Sequence, residues 1–529
     1  MEARDFLVPQ RLDLIAMAST PQITLGLSGT TADDVIAVAR HEAHISISPQ
    51  VLEELASVRA HIDALASADT PVYGISTGFG ALATRHIAPE DRAKLQRSLI
   101  RSHAAGMGEP VEREVVRALM FLRAKTLASG RTGVRPVVLE TMVGMLNAGI
   151  TPVVREYGSL GCSGDLAPLS HCALVLMGEG EATDAHGDIR PVPELFAEAG
   201  LTPVELAEKE GLALVNGTDG MLGQLIMALA DLDELLDIAD ATAAMSVEAQ
   251  LGTDQVFRAE LHEPLRPHPG QGRSAQNMFA FLADSPIVAS HREGDGRVQD
   301  AYSLRCSPQV TGAARDTIAH ARLVATRELA AAIDNPVVLP SGEVTSNGNF
   351  HGAPVAYVLD FLAIAVADLG SIAERRTDRM LDPARSRDLP AFLADDPGVD
   401  SGMMIAQYTQ AGLVAENKRL AVPASVDSIP SSAMQEDHVS LGWHAARKLR
   451  TSVANLRRIL AVEMLIAGRA LDLRAPLKPG PATGAVLEVL RSKVAGPGQD
   501  RFLSAELEAA YDLLANGSVH KALEAHLPA

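Results

Sequence analysis

Apolar residues recur at every third or fourth position over long stretches of this chain, a spacing that predicts amphipathic helices. Val51, Leu55, Val58, Ile62 and Leu65 share one face of a helix over Pro49–Leu65. Val355, Val358, Leu359, Leu362, Val366 and Leu369 do so within Ala353–Leu381, and Leu449, Val453, Leu456, Leu460 and Met464 within Gly442–Leu471. Met221–Gln250 is rich in Ala and Leu throughout, as a buried helix is. Helices are also predicted over Val111–Ala128, Arg135–Ala148, Thr311–Ile333 and Ser504–Leu514; the third is closed by Asp334-Asn335-Pro336, since proline disfavours helix in the residue before it. Thr31 and Asp34 have the spacing of a capping box at the head of another helix, and Gln22–Leu25 reads as a short strand. Arg266–Gln271 is expected to be a rigid loop and Ala283–Arg297 an exposed connection. The fold class expected is mainly α: a long-helix bundle core over 216–475, a smaller mixed N-terminal part over 1–215 that carries glycine-rich loops, and a C-terminal helical segment over 476–529.

Length and composition narrow the function classes. A chain of 529 residues can bury a large core in more than one unit. Only 3% of residues are aromatic, which favours helix over strand. The formal charge of −20 opposes a general nucleic-acid binder, which needs a basic surface. Three scattered cysteines, Cys162, Cys172 and Cys306, are too few for a disulfide framework or a four-cysteine zinc site. With no basic-then-apolar signal at the start and no apolar run expected to reach the length of a membrane span, a cytoplasmic setting is expected.

The candidate chemistry centres on Gly158-Ser159-Leu160-Gly161-Cys162-Ser163-Gly164-Asp165-Leu166. One reading is a glycine-rich loop before a helix, with a helix N-terminus that suits an anion. The other is covalent. If the chain bends tightly, the Gly164 nitrogen can attack the Cys162 carbonyl carbon and close a five-membered ring. Loss of water from that ring and from the Ser163 side chain then leaves an exocyclic methylidene, an electrophile that no unmodified side chain supplies.

The stretch Gly158–His171 resembles the signature of the aromatic amino acid ammonia-lyase family, which builds a methylidene-imidazolone (MIO) group from an internal X-Ser-Gly triad. X is usually Ala and here is Cys162, whose side chain stays outside the ring. Further motifs follow in order. Pro71–Gly80 resembles the family's inner loop, which makes Tyr73 the catalytic base. Asn216-Gly217-Thr218 resembles the motif whose Asn meets the MIO carbonyl. Gln299-Asp300-Ala301-Tyr302-Ser303-Leu304-Arg305 resembles the motif whose Arg clamps the substrate carboxylate, with Gln299 and Tyr302 lining the site. Gly348–His351 resembles the segment whose Phe, here Phe350, packs near the MIO. Ser102-His103 and the run around Gln435-Glu436 resemble the family's histidine-selective branch. A polar pair can hydrogen-bond an imidazole, whereas an apolar pair would strand its nitrogens.

The resemblance therefore implies elimination of ammonia from L-histidine to give trans-urocanate, with MIO formed from Cys162-Ser163-Gly164, no metal and no diffusible cofactor. It also implies a homotetramer whose sites combine residues of three subunits, and no nucleic-acid or membrane partner. An MIO aminomutase, a lyase for tyrosine or phenylalanine, and an inactive scaffold of the same fold remain as alternatives.

Overall fold

The computed structural model describes residues 21–67, 74, 75, 77 and 87–528. Tyr73 lies outside them. The N-terminal part begins with a parallel pair, β1 (Gln22–Leu25) and β2 (His44–Ile47), connected by α1 (Ala32–His41). The Thr31 hydroxyl accepts the Asp34 amide at 3.2 Å and the Asp34 carboxylate accepts the Thr31 amide at 2.8 Å, so the capping box forms as the spacing predicts. Helices α2 (Pro49–Ala66), α3 (Pro89–His103), α4 (Arg113–Ala128), α5 (Pro136–Asn147) and α6 (Leu166–Leu176) follow.

The core is built from α7 (Asp219–Ala249), α8 (Pro269–Phe281), α9 (Ser307–Leu329), α10 (Ala353–Leu381), α11 (Met404–Leu420) and α12 (Gly442–Asp472), with α13 (Pro481–Arg491) and α14 (Leu503–Ala515) packed outside. A buried polar network fixes their directions. Glu463 of α12 pairs with Arg376 of α10 at 2.9 Å and accepts the hydroxyls of Thr242 and Ser246 of α7, both at 2.9 Å. These residues stand about two-thirds of the way along or further in each helix, so α7, α10 and α12 run parallel. Helix α9 runs the other way: Ser307 at its start is 3.3 Å from Arg376, and Glu328 near its end accepts the hydroxyl of Thr218, just before α7. The N-termini of three long helices thus gather at one end of the bundle.

Several stretches depart from the sequence expectation. The supposed loop Arg266–Gln271 contains the start of α8, with Pro269 in the first turn, where its missing N–H costs nothing. The supposed exposed connection Ala283–Arg297 contains a helical turn, Pro286–Ala289, that buries Ile287 and Val288. Helix α11 has no apolar stripe to announce it. It packs through polar groups, Gln410 donating to the Ile459 carbonyl at 2.9 Å and Asn417 to that of Ser452 at 3.1 Å. Helix α10 carries an 18-residue window of mean hydropathy 1.9, long and apolar enough to cross a membrane, contrary to expectation. More than half of that window is buried inside the protein, against α7, α9, α11 and α12.

Candidate active site

The Cys162–Gly164 triad sits where α7, α10 and α12 begin. The Gly161 carbonyl accepts the Gly352 amide at 3.1 Å and the Ser440 hydroxyl at 2.8 Å, and the Leu160 carbonyl accepts the Leu441 amide at 2.8 Å. Asp165 completes the anchorage. Its carboxylate accepts the Ser159 hydroxyl at 2.9 Å and the Met221 amide at 2.8 Å, while its own amide donates to the Gly217 carbonyl at 2.8 Å. Three helix N-termini turn their positive dipole ends toward this loop, which favours negative charge there. Complete burial outweighs the donated hydrogen bonds and pushes the Asp165 carboxyl up to about 7. Gly164 has φ of 80°, and a Cβ there would overlap the Gly217 carbonyl, so the two loops touch backbone to backbone only because glycine occupies the position.

The second loop is held by Arg123 of α4. Its side chain is 1% exposed and pairs with Asp219 at the head of α7. The same guanidinium donates to the carbonyls of Ala213 at 2.9 Å and Asn216 at 3.0 Å. Asn216 is buried, and its amide nitrogen reaches the carbonyls of Leu212 and Asn335, each at 3.3 Å. A Cβ on Gly74, the neighbour of Tyr73, would lie 2.9 Å from Leu212 and Pro336, so Gly74 abuts the same support.

Glu436 faces the triad from the third side. One oxygen, Oε1, accepts the Ser163 hydroxyl at 2.9 Å. The other, Oε2, accepts the Cys162 thiol at 2.9 Å and the Ser431 hydroxyl at 3.1 Å. Burial, reinforced by the Glu436 carboxylate, pushes the Cys162 thiol up to about 12. Gln435-Glu436-Asp437 lie outside any helix. Ser431 and Glu436 bridge each other across a short turn, and α12 starts at Gly442. Ser102 and His103 end α3; the Ser102 hydroxyl is 3.0 Å from His103 Nδ1 and donates to the Leu99 carbonyl at 3.0 Å. Burial lowers the His103 imidazole pKa, and the Glu436 charge acts on it in the opposite sense. Phe350 is half-buried two residues before Gly352, and Gln435 is exposed.

Gln299, Tyr302 and Arg305 are not brought to this place. Arg305 Nε donates to the Asp300 carbonyl at 2.9 Å, and its guanidinium lies 4.7 Å from the centre of the Tyr302 ring. The Asp300 carboxylate accepts the Thr253 amide at 2.8 Å, just beyond the C-terminus of α7. The triad sits at the opposite end of that 31-residue helix, about 45 Å away at 1.5 Å per residue. Tyr302 is 72% exposed. Sequence reasoning also missed the supports: Asp165 follows the triad directly and could have been suspected, whereas Arg123, mid-helix, carries no local signal.

The chain matches the family model described as aromatic amino acid lyase over residues 30–492. It is 68% identical to the histidine ammonia-lyase of Streptomyces avermitilis over 503 residues, 95% of this chain and 98% of the relative. It is 48% identical to that of Gloeobacter violaceus, over 96% of this chain and 98% of the relative. Among solved structures it resembles histidine ammonia-lyase from Trypanosoma cruzi (TM-score 0.88, 38% identity, 96% of each chain) and tyrosine aminomutase from Streptomyces globisporus (TM-score 0.90, 37% identity, 96% of this chain and 99% of the other). The chain therefore belongs to the aromatic amino acid lyase family.

Proposed function

We propose that this enzyme eliminates ammonia from L-histidine to give trans-urocanate, as its relatives' names imply for them. The observation that carries the reading is Glu436, which accepts the Ser163 hydroxyl at 2.9 Å and lies near enough to His103 for its charge to act on that imidazole. An imidazole has two nitrogens to satisfy, and a histidine and a carboxylate can accept from or donate to both. The loop geometry fits MIO formation: the positive φ of Gly164 and its contact with Gly217 supply the tight bend that ring closure needs. Once formed, that group supplies an electrophile that makes the substrate a better candidate for losing ammonia.

The chain's own residues do the rest. The helix N-termini and the Asn216 amide favour negative charge at the ring. Tyr73 takes the β-proton, Arg305 clamps the carboxylate through its bidentate fork, and Gln299, Tyr302, Phe350, Ser102 and Gln435 shape the pocket around the substrate. Since Arg305 and the triad stand at opposite ends of α7, a complete site requires a second copy of the chain, which supports the tetrameric reading. The outward face of α10 offers a surface for it: Tyr357, Phe361 and Ile364 are each close to half exposed. The free thiols of Cys162, Cys172 and Cys306 suit a reducing, cytoplasmic compartment.

The likeness to a tyrosine aminomutase keeps one other outcome in view, return of ammonia to the β-carbon. Product analysis by NMR after incubation with L-histidine, L-tyrosine and L-phenylalanine separates the readings. Urocanate from histidine alone is expected; β-histidine, coumarate or cinnamate as the main product would overturn the assignment.

A further inference from the structure

Ser163 enters any such ring closure as a serine, with its hydroxyl in place. Its hydroxyl must leave as water before any electrophile exists, and hydroxide is a poor leaving group. Among the described residues, the titratable group within hydrogen-bond reach of that hydroxyl is Glu436, with Oε1 at 2.9 Å from Oγ. Asp165, a buried carboxyl nearby, is turned toward Ser159 and Met221. The Glu436 carboxyl is clamped in this pose. Cys162 and Ser431 hold Oε2, and the backbones of Ser431 and Glu436 close on each other, the Ser431 amide donating to the Glu436 carbonyl at 2.9 Å.

We propose that Glu436 is the acid–base catalyst of maturation, removing water from Ser163 as the triad cyclises. The inference rests on the MIO reading above. In the first stage the Gly164 nitrogen bonds to the Cys162 carbonyl carbon. The Cys162 oxygen leaves as water with the hydrogens of the Gly164 and Ser163 amides, and a C=N bond forms to the Ser163 nitrogen. The Ser163 Cα–H now lies between the ring C=N and C=O and is acidified. In the second stage the Cα–H pair becomes the Cα=Cβ bond and the Cβ–Oγ bond breaks. The Glu436 carboxylate takes the Cα proton and delivers it to Oγ, so one water leaves and Glu436 ends as it began. With Oγ gone, Oε1 is released while Oε2 stays tethered. The same carboxylate is then free to meet the substrate imidazole, so the two duties follow each other in time.

The test is the intact mass of newly made protein followed over time, for wild type, Glu436→Gln, Glu436→Ala and Ser163→Ala. Wild type should lose two waters. Glu436→Gln, which keeps the shape but cannot exchange the proton, should stall short of the second loss, slowed about 100-fold, as expected for a missing general acid–base. Glu436→Ala should stall likewise and be accelerated by added formate, a result a merely structural role would not give. Full loss of two waters in Glu436→Gln on the wild-type time course overturns the inference. Absence of any water loss in the wild type instead removes the MIO reading itself. Circular dichroism and gel filtration identify a misfolded alanine variant, and the glutamine variant then decides.

Discussion

Arg123 offers a quantitative test of how the site is supported. Replacing it with Met keeps the length of the side chain but leaves the Asp219 carboxylate buried, with its side chain 6% exposed, and without its cation. Removing one partner of a buried pair costs about 3–5 kcal/mol, and the carbonyls of Ala213 and Asn216 lose a donor worth about 1 kcal/mol each. Such terms overlap, so a net loss of about 4 kcal/mol is expected, close to a thousandfold in the folded-to-unfolded ratio. Urea unfolding at fixed protein concentration measures it. The double variant Arg123→Met/Asp219→Asn removes both charges and should recover about half or more of the loss, a coupling of roughly 2–3 kcal/mol. Because Arg123 also fixes the loop that carries Asn216, turnover of folded Arg123→Met should fall by about 100-fold, the effect of losing one oriented donor at developing charge. An unfolding midpoint equal to that of wild type, or a double variant less stable than the single one, would refute this reasoning.

Three further outcomes follow from the same geometry. Cys162→Ala removes one donor to Glu436 and should lower kcat/KM for histidine about fivefold, the worth of one hydrogen bond; Cys162→Ser should restore it. Ser163→Ala and Arg305→Met should each be inactive alone, yet co-expression should regenerate roughly a quarter of the sites by mixing subunits; no recovery would contradict a shared site. Asp165 carries a pH signature. Its ionisation is raised from 3.8 to about 7 in the fold, so the stability it contributes is fully present below pH 4 and is lost as the pH rises through 7. That displacement corresponds to roughly 4 kcal/mol at 1.36 kcal/mol per pH unit, and urea midpoints measured across that range should flatten in Asp165→Asn.

What could be read from the sequence was what local physics dictates. The apolar stripes of Pro49–Leu65, Ala353–Leu381 and Gly442–Leu471 became helices within a residue or two of the expected ends, and Thr31 with Asp34 became a capping box. The stretch around Cys162-Ser163-Gly164 stood out because three glycines crowd two serines and a cysteine, and its covalent reading came from the family resemblance. Helix α11 was not legible, because the buried polar groups Gln410 and Asn417 interrupt its apolar face. Nor were Arg123 and Asp219 a pair in sequence, since 96 residues separate them and only the packing of α4 on α7 brings them together. The separation of Arg305 from Ser163 is likewise a property of helix length and direction, which no short motif records.

The most direct test of the whole account is the ultraviolet absorbance of purified protein incubated with L-histidine, for wild type and Ser163→Ala side by side. The account predicts the rise of urocanate absorbance in the wild type and none in the variant. Equal rates in the two proteins would contradict an electrophile built on Ser163, and no urocanate from the folded wild type would contradict the assigned activity.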